Sequence, residues 1–126
     1  MPNILAIDYG LQHIGLAIAT TPLAEPIITA PTSQVITTIR QIIDKYNIDL
    51  ILIGISENDM ANKTRLFADK LTQEFHLPIK FIDETLSSYE TRQQIAQANM
   101  KKKKRQQKTD HFVAASLLQN YLDESL

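Results

Sequence analysis

Three acidic residues stand where a strand or a helix would deliver a side chain to the edge of a sheet. Asp8 closes the apolar run that starts at Asn3, Glu84 follows the fifth apolar run together with Asp83, and Asp110 opens the last helical segment. If the first and fifth strands run parallel, Asp8 and Glu84 emerge at the same carboxyl edge, where open α/β sheets bind ligands. Carboxylates gathered there repel one another unless a cation is bound, and oxygen ligands favour Mg²⁺ or Mn²⁺ over zinc.

Each of these residues also has an ordinary structural interpretation. Asp8 suits a turn in which its carboxylate bonds the backbone, and Asp110 suits a helix N-cap. Asp83 and Glu84 fit the solvated end of an exposed strand. The chain has no cysteine, which excludes thiolate zinc sites and cysteine nucleophiles. Its three histidines lack metal-ligand spacing and fit surface or structural positions: His13, His76 and His111.

A basic segment precedes the last helix. Between Thr91 and Thr109 there is no acidic residue, and the basic residues are Arg92, Lys101, Lys102, Lys103, Lys104, Arg105 and Lys108. The whole chain has 13 basic and 14 acidic residues, so the remainder holds six against 14 and carries −8. A segment of this kind contacts phosphates or is simply a solvated loop. Lacking aromatic residues, it cannot stack bases. Four consecutive lysines do not fit a packed core, so we expect a mobile loop that becomes ordered on nucleic acid.

The elements that must position these residues show two different periods. Apolar runs predict strands over Asn3–Asp8, Ile14–Ala19, Ile27–Thr29, Asp49–Gly54 and Pro78–Ile82. Short links between the first three predict an antiparallel meander. Helical stripes and capping residues predict helices over Gln34–Tyr46 with Ser33 as N-cap, over about Ala61–Phe75, from the Ser87–Glu90 capping box, and from Thr109 or Asp110. The order predicts an α/β fold.

Length and composition limit the class of protein. At 126 residues, with 44% hydrophobic and 21% charged residues, the chain fits one globular domain, residues 1–126. No window reaches the roughly 18 apolar residues that cross a bilayer, and the N-terminus has no signal-peptide pattern. We therefore expect a cytoplasmic protein without membrane contact.

Four sequence blocks lie in the order and spacing of one known family. They are Ile4-Leu-Ala-Ile-Asp-Tyr-Gly10 with Ile14-Gly-Leu-Ala17, then Leu52-Ile-Gly54, Phe81-Ile-Asp-Glu-Thr-Leu-Ser87, and the segment from Lys108 to Leu122. The blocks resemble the motifs of the YqgF/RuvX family over essentially the whole chain. The resemblance implies a ribonuclease-H-like fold with a five-stranded mixed sheet flanked by helices.

The resemblance also implies an activity, a metal nuclease that matures the end of small-subunit (16S) pre-ribosomal RNA. A Holliday-junction resolvase acting on branched DNA is the related alternative. By position, the family's catalytic and metal-binding acids fall on Asp8, Glu84 and Asp110, with Mg²⁺ or Mn²⁺ as the ion. We expect Lys101 to Lys104, Arg105 and Lys108 to contact the nucleic acid, and the protein to be a monomer or homodimer.

The sequence departs from the family pattern at three places. His13 and Thr85 stand where arginine is usual. The segment Ile55–Asp59 lacks the usual proline, and no glycine follows its aspartate. These changes leave the carboxylates intact but alter groups that contact phosphate or shape the loop. A non-catalytic nucleic-acid-binding factor of ribosome assembly therefore remains a competing function. A small ATPase relative ranks last, because 126 residues leave no second lobe to enclose a nucleotide.

Overall fold

The computed structural model describes residues 1–55, 61–83 and 110–125, which form one mixed sheet and three α-helices. The elements are β1 Ile4–Asp8, β2 His13–Ala19, β3 Glu25–Pro31, α1 Val35–Tyr46, β4 Leu50–Ile55, α2 Ala61–Phe75, β5 Ile79–Asp83 and α3 Asp110–Ser125. Their order and type confirm the prediction over these ranges. The helix predicted from Ser87 lies outside the described residues.

The sheet has the strand order β3-β2-β1-β4-β5. β2 pairs antiparallel with both β1 and β3, which confirms the meander. β4 pairs parallel with both β1 and β5, since α1 and α2 supply the crossovers that parallel pairing requires. The carboxyl ends of β1, β4 and β5 therefore lie along the same edge of the sheet, here called the carboxyl edge.

The two faces of the sheet bury different kinds of side chain. One face packs large residues such as Leu5, Ile7 and Ile53 against α1 and α2. The other face packs Ala6, Ala17 and Ala19, together with the longer side chains of Ile4 and Leu52, against α3, which contributes Ala114, Leu118 and Leu122. The three alanines let the backbone of α3 approach β1 and β2 closely, because short side chains separate the layers least.

The entry into α1 differs from the prediction. Ser33 is not the N-cap: it lies inside a 3-10 turn, Thr32–Gln34, and the helix begins at Val35. The N-cap, Gln34, makes no side-chain capping hydrogen bond. The reason is a tertiary contact: the Thr32 N–H donates to the Gln12 carbonyl at 2.9 Å. This hydrogen bond fixes the end of β3, and the 3-10 turn connects it to α1.

The third strand is longer than the predicted Ile27–Thr29. It runs from Glu25 to Pro31 and contains two prolines, Pro26 and Pro31. Proline is tolerated there because β3 is an edge strand with one unpaired side. Its pairing with β2 shifts register between Leu16 and Ala17.

The amino edge of the sheet is closed by Asn3. Its side-chain amide donates to the Tyr46 and Asn47 carbonyls at 3.0 and 3.3 Å, and its backbone N–H donates to Asp49 Oδ2 at 2.8 Å. Asn47 ends α1 in the left-handed conformation, with φ 51°, which asparagine tolerates. This edge thus anchors α1 on the side of the sheet opposite the candidate site. Among the residues described, no helix is long and apolar enough to span a membrane.

Candidate active site

One row of residues crosses the sheet at its carboxyl edge. In register, Thr29 of β3 pairs with Gly15, Gly15 with Asp8, Asp8 with Gly54, and Gly54 with Ile82. Asp8 is the central member and is only 3% exposed. Because alternate residues share a face, its side chain lies on the α3 face with Ala6. A buried carboxylate thus sits between two glycines in the middle strand.

Gly15 brings the start of α3 onto this row. A Cβ atom at Gly15 would overlap the carbonyl group of Asp110 and would lie 2.6 Å from the His111 nitrogen. The α3 backbone therefore rests on β2 directly beside Asp8, since antiparallel partners are about 4.5–5.5 Å apart. Two of the three acidic residues proposed from the sequence, Asp8 and Asp110, are thus brought to one place.

His111 ties the first turn of α3 to the edge strand. Its backbone N–H donates to Thr29 Oγ1 at 3.2 Å, and the same hydroxyl is hydrogen-bonded to His111 Nδ1 at 2.8 Å. Burial lowers the pKa of the His111 imidazole below its usual 6.5, and the neighbouring Asp110 carboxylate opposes that shift. The sequence predicted a surface or structural position for His111. Its hydrogen bonds to Thr29 agree with a structural role, because they help to hold the adjacent Asp110 in position.

The turn after Asp8 is equally constrained. A Cβ atom at Gly10 would lie 2.5 Å from the His13 carbonyl oxygen, so the chain can close this tightly only with glycine. The Thr32 hydroxyl donates to the Gly10 carbonyl at 2.8 Å. Asp8 itself is the last residue of β1, and the turn that begins after it is tied to the entry of α1.

The remaining predicted site residues fall elsewhere. Asp83 pairs with Ile55, one position beyond the row, so it faces the opposite side of the sheet from Asp8. Glu84 lies outside the described residues, as do the basic residues Lys101, Lys102, Lys103, Lys104, Arg105 and Lys108. Within residues 1–55, 61–83 and 110–125, no group of three His, Asp or Glu side chains forms a metal cage. Carboxylate oxygens such as those of Asp8 and Asp110 are the type of ligand that hard divalent cations prefer.

The sequence profile of the RuvX family, described as Holliday junction resolvase, matches residues 2–124. This chain belongs to the RuvX family. It is 34% identical to a protein of Halothermothrix orenii, over 96% of this chain and 94% of the relative. It is 33% identical to one of Geobacillus kaustophilus, over 94% and 96%. Both relatives carry the name “Putative pre-16S rRNA nuclease”.

Two solved structures of similar fold are RuvC and a viral Holliday junction resolvase. Thermus thermophilus RuvC in complex with a Holliday junction substrate superposes with a TM-score of 0.63 at 10% identity, covering 98% of this chain and 95% of RuvC. The fowlpox virus Holliday junction resolvase gives 0.55 at 15% identity, covering 98% and 99%. These likenesses confirm the ribonuclease-H-like fold and its five-stranded mixed sheet.

Sequence reasoning missed Gly15 and Thr29 as supports of the site. A signal for Gly15 existed, because glycine inside a strand often marks a close approach of another backbone. For Thr29 there was none, since its partner His111 is 82 positions away in the chain. The candidate site thus combines the acidic residues Asp8 and Asp110 with Gly15 and Thr29, whose side chains carry no charge.

Proposed function

We propose that this RuvX-family protein is a divalent-metal-dependent endonuclease that matures the end of the 16S ribosomal RNA precursor. The observation that carries the proposal is the placement of Asp110 beside the buried Asp8, with Gly15 as the seat of α3. The shared name of the relatives supports the RNA substrate. We expect such a protein to act in the cytoplasm, where the precursor is made.

We assign the metal to Asp8, Glu84 and Asp110. Bound there, Mg²⁺ or Mn²⁺ would supply Lewis-acid stabilisation of the phosphoryl oxygens and would make the attacking water more acidic. Asp8 extends its carboxylate from the central strand, and the residue paired with it on each neighbouring strand is a glycine. The Thr29–His111 hydrogen bonds hold the first turn of α3, so that Asp110 needs little reorganisation.

Substrate contact is assigned to the basic segment. Lys101, Lys102, Lys103, Lys104, Arg105 and Lys108 directly precede α3 in the chain, whose first residue is Asp110. We propose that they neutralise backbone phosphates of the RNA near the acidic residues, without regard to sequence. An arrangement of this kind would set affinity and its salt dependence rather than the position of cleavage.

The test is cleavage of an RNA fragment that spans the end of the 16S precursor. We expect defined products with Mn²⁺ or Mg²⁺ and none with EDTA or with Asp8→Asn. Asp44→Asn is the matched control, since Asp44 is an exposed acid of α1, distant in the chain from the site, and its variant should cleave normally. Binding without cleavage under every divalent metal would refute the nuclease and favour an assembly factor.

A second candidate, resolution of branched DNA, is favoured by two observations. The fold superposes on RuvC in complex with a Holliday junction substrate, and the RuvX family profile is described as Holliday junction resolvase. A synthetic four-way DNA junction in the same assay separates the two substrates. Cleavage of the junction at matched concentrations, with the precursor RNA left intact, would replace the RNA proposal by this one.

A further inference from the structure

A cavity opens on the other side of the carboxyl edge, directly behind the acidic residues. It has a volume of about 300 Å³ and lies between the start of α1 and one side of α2. Tyr9 forms part of its wall, and Tyr9 follows Asp8 in the chain. Because adjacent strand residues face opposite sides, Asp8 and Tyr9 direct their side chains to the two faces of the same edge. The cavity therefore adjoins the candidate site without including its acidic residues.

The wall of the cavity is apolar with two cationic groups. Residues spaced along one side of α2 contribute Lys63, Leu66, Phe67 and Lys70. The two lysines are two helical turns apart, about 10 Å along the axis, so they flank the apolar part of the wall. Both are exposed, and neither is ion-paired to another residue in the ranges that the structure describes.

Nothing acidic in the described wall balances these two charges. The remaining lining residues are Thr32, Val35 and Ile36, and the Thr32 hydroxyl is already committed to the Gly10 carbonyl. The first turn of α1 also contains no acidic residue, which leaves the positive end of its dipole uncompensated. The electrostatics of the cavity therefore favour an anionic ligand.

The apolar part of the wall suits a flat ring. The Tyr9 and Phe67 rings are in contact, with centroids 4.7 Å apart and ring planes tilted by 35°, and Leu66, 68% exposed, forms the rim. The volume is at the lower end of cavities that hold one small ligand, which excludes a stretch of duplex. An aromatic wall with flanking cations is the combination by which proteins hold an unstacked base and its phosphates.

We infer that this cavity holds one unstacked nucleotide of a single-stranded RNA, with its base against Tyr9 and Leu66 and its neighbouring phosphates on Lys63 and Lys70. The inference rests on the proposed function for the identity of the RNA, and it adds a contact on the face opposite Asp8. A strand that crosses the carboxyl edge then passes the acidic residues and enters the cavity. The cavity would thereby position the strand relative to the acids.

The first test is binding of a single-stranded RNA oligonucleotide in EDTA, so that no cleavage intervenes. Lys63→Ser combined with Lys70→Ser should bind more weakly and should flatten the log–log salt slope by about 1.4 units, roughly 0.7 for each contact. Between about 50 and 200 mM salt, the affinity ratio of wild type to variant should then narrow about sevenfold. Lys45→Ser, the control, removes a charge at the end of α1 beside the amino edge and should keep the wild-type slope.

The second test replaces the bases by abasic ribose at constant length and charge. Wild type should prefer the base-bearing RNA by about fivefold or more, the lower limit expected for one stacked base. Leu66→Ser and Tyr9→Leu should reduce that preference. Leu66 is largely exposed, so its variant should also keep the wild-type unfolding temperature and serves as the stability control for Tyr9.

The two proposals can fail separately. If wild type cleaves the precursor but the lysine variant keeps the original salt slope, the cavity is not a nucleotide site and the nuclease stands. If no RNA is cleaved but both binding differences are found, the cavity is confirmed and the nuclease is refuted. Equal affinity of wild type for base-bearing and abasic RNA, or no RNA binding at all, would overturn the inference.

Discussion

Gly15→Ala is the substitution with the most specific expected result. The added methyl group would overlap the Asp110 carbonyl. Neither group can rotate away, because the methyl group is fixed to the backbone of β2 and the carbonyl is part of the backbone of α3. Either α3 must lift from β2 or the sheet must bend. Overpacking of this kind costs about 1–3 kcal/mol of unfolding free energy. For a chain of this length, each kcal/mol lowers the unfolding temperature by about 3–6 °C, so a decrease of about 3–18 °C is expected.

The effect on function should exceed the effect on stability, because lifting α3 separates Asp110 from Asp8. We expect Mn²⁺ to raise the unfolding temperature of wild type and to leave that of Gly15→Ala almost unchanged, and RNA cleavage to be lost. Ile39→Val is the control: it removes a methyl group from the buried face of α1, costs about 0.5–1.5 kcal/mol, and should retain the Mn²⁺ response. If Gly15→Ala kept both the wild-type stability and the Mn²⁺ response, α3 would not rest on Gly15 and the reasoning would be wrong.

Three further outcomes are expected. Asp8→Asn should lower metal-dependent cleavage by more than about 100-fold, since even the loss of a residue that only orients a metal ligand costs roughly 10–100-fold. The stability of the metal-free protein should stay the same or increase, because repulsion between the carboxylates is relieved. Full activity of the variant would remove Asp8 from the site. Replacing Lys101 to Lys104 by serine should flatten the salt slope of RNA binding by about 0.7 units per lost contact, without changing the unfolding temperature, and an unaltered slope would show a merely solvated loop. The pKa of His111 in the folded protein lies below the usual 6.5, so the unfolded chain takes up the proton first as the pH decreases. The free energy of unfolding of the metal-free protein should therefore fall as the pH decreases through 6.5 toward the folded pKa. Urea midpoints measured across that range should vary less in His111→Gln than in wild type, and identical pH profiles of the two proteins would contradict the assignment.

Much of the fold follows from local pattern. Local hydrophobic pattern is enough to identify three elements as strand or helix: Ile4–Asp8, Leu50–Ile55 and Val35–Tyr46. The reason is that the spacing of apolar side chains in a strand or a helix does not depend on the rest of the chain. The links between the first three strands are too short for parallel pairing, and the two helical connections permit it. Local pattern misjudged the start of α1 and the length of β3, since hydrogen bonds from Thr32 and the edge position of β3 are tertiary facts.

The candidate site divides along the same line. Asp8 and Asp110 could be selected from the sequence, because an acidic residue that ends an apolar run or begins a helix is visible there, and the family motifs place it. Only the tertiary structure decided that Gly15 carries α3, that Thr29 holds His111, and that α1 and α2 leave a cavity behind Tyr9. The physical reason is that side-chain alternation tells which residues share a face of a strand but not which distant segment covers that face. Gly15 and Asp110 meet across 95 positions of chain because their shapes fit, and shape complementarity between remote segments leaves no periodic trace in a sequence.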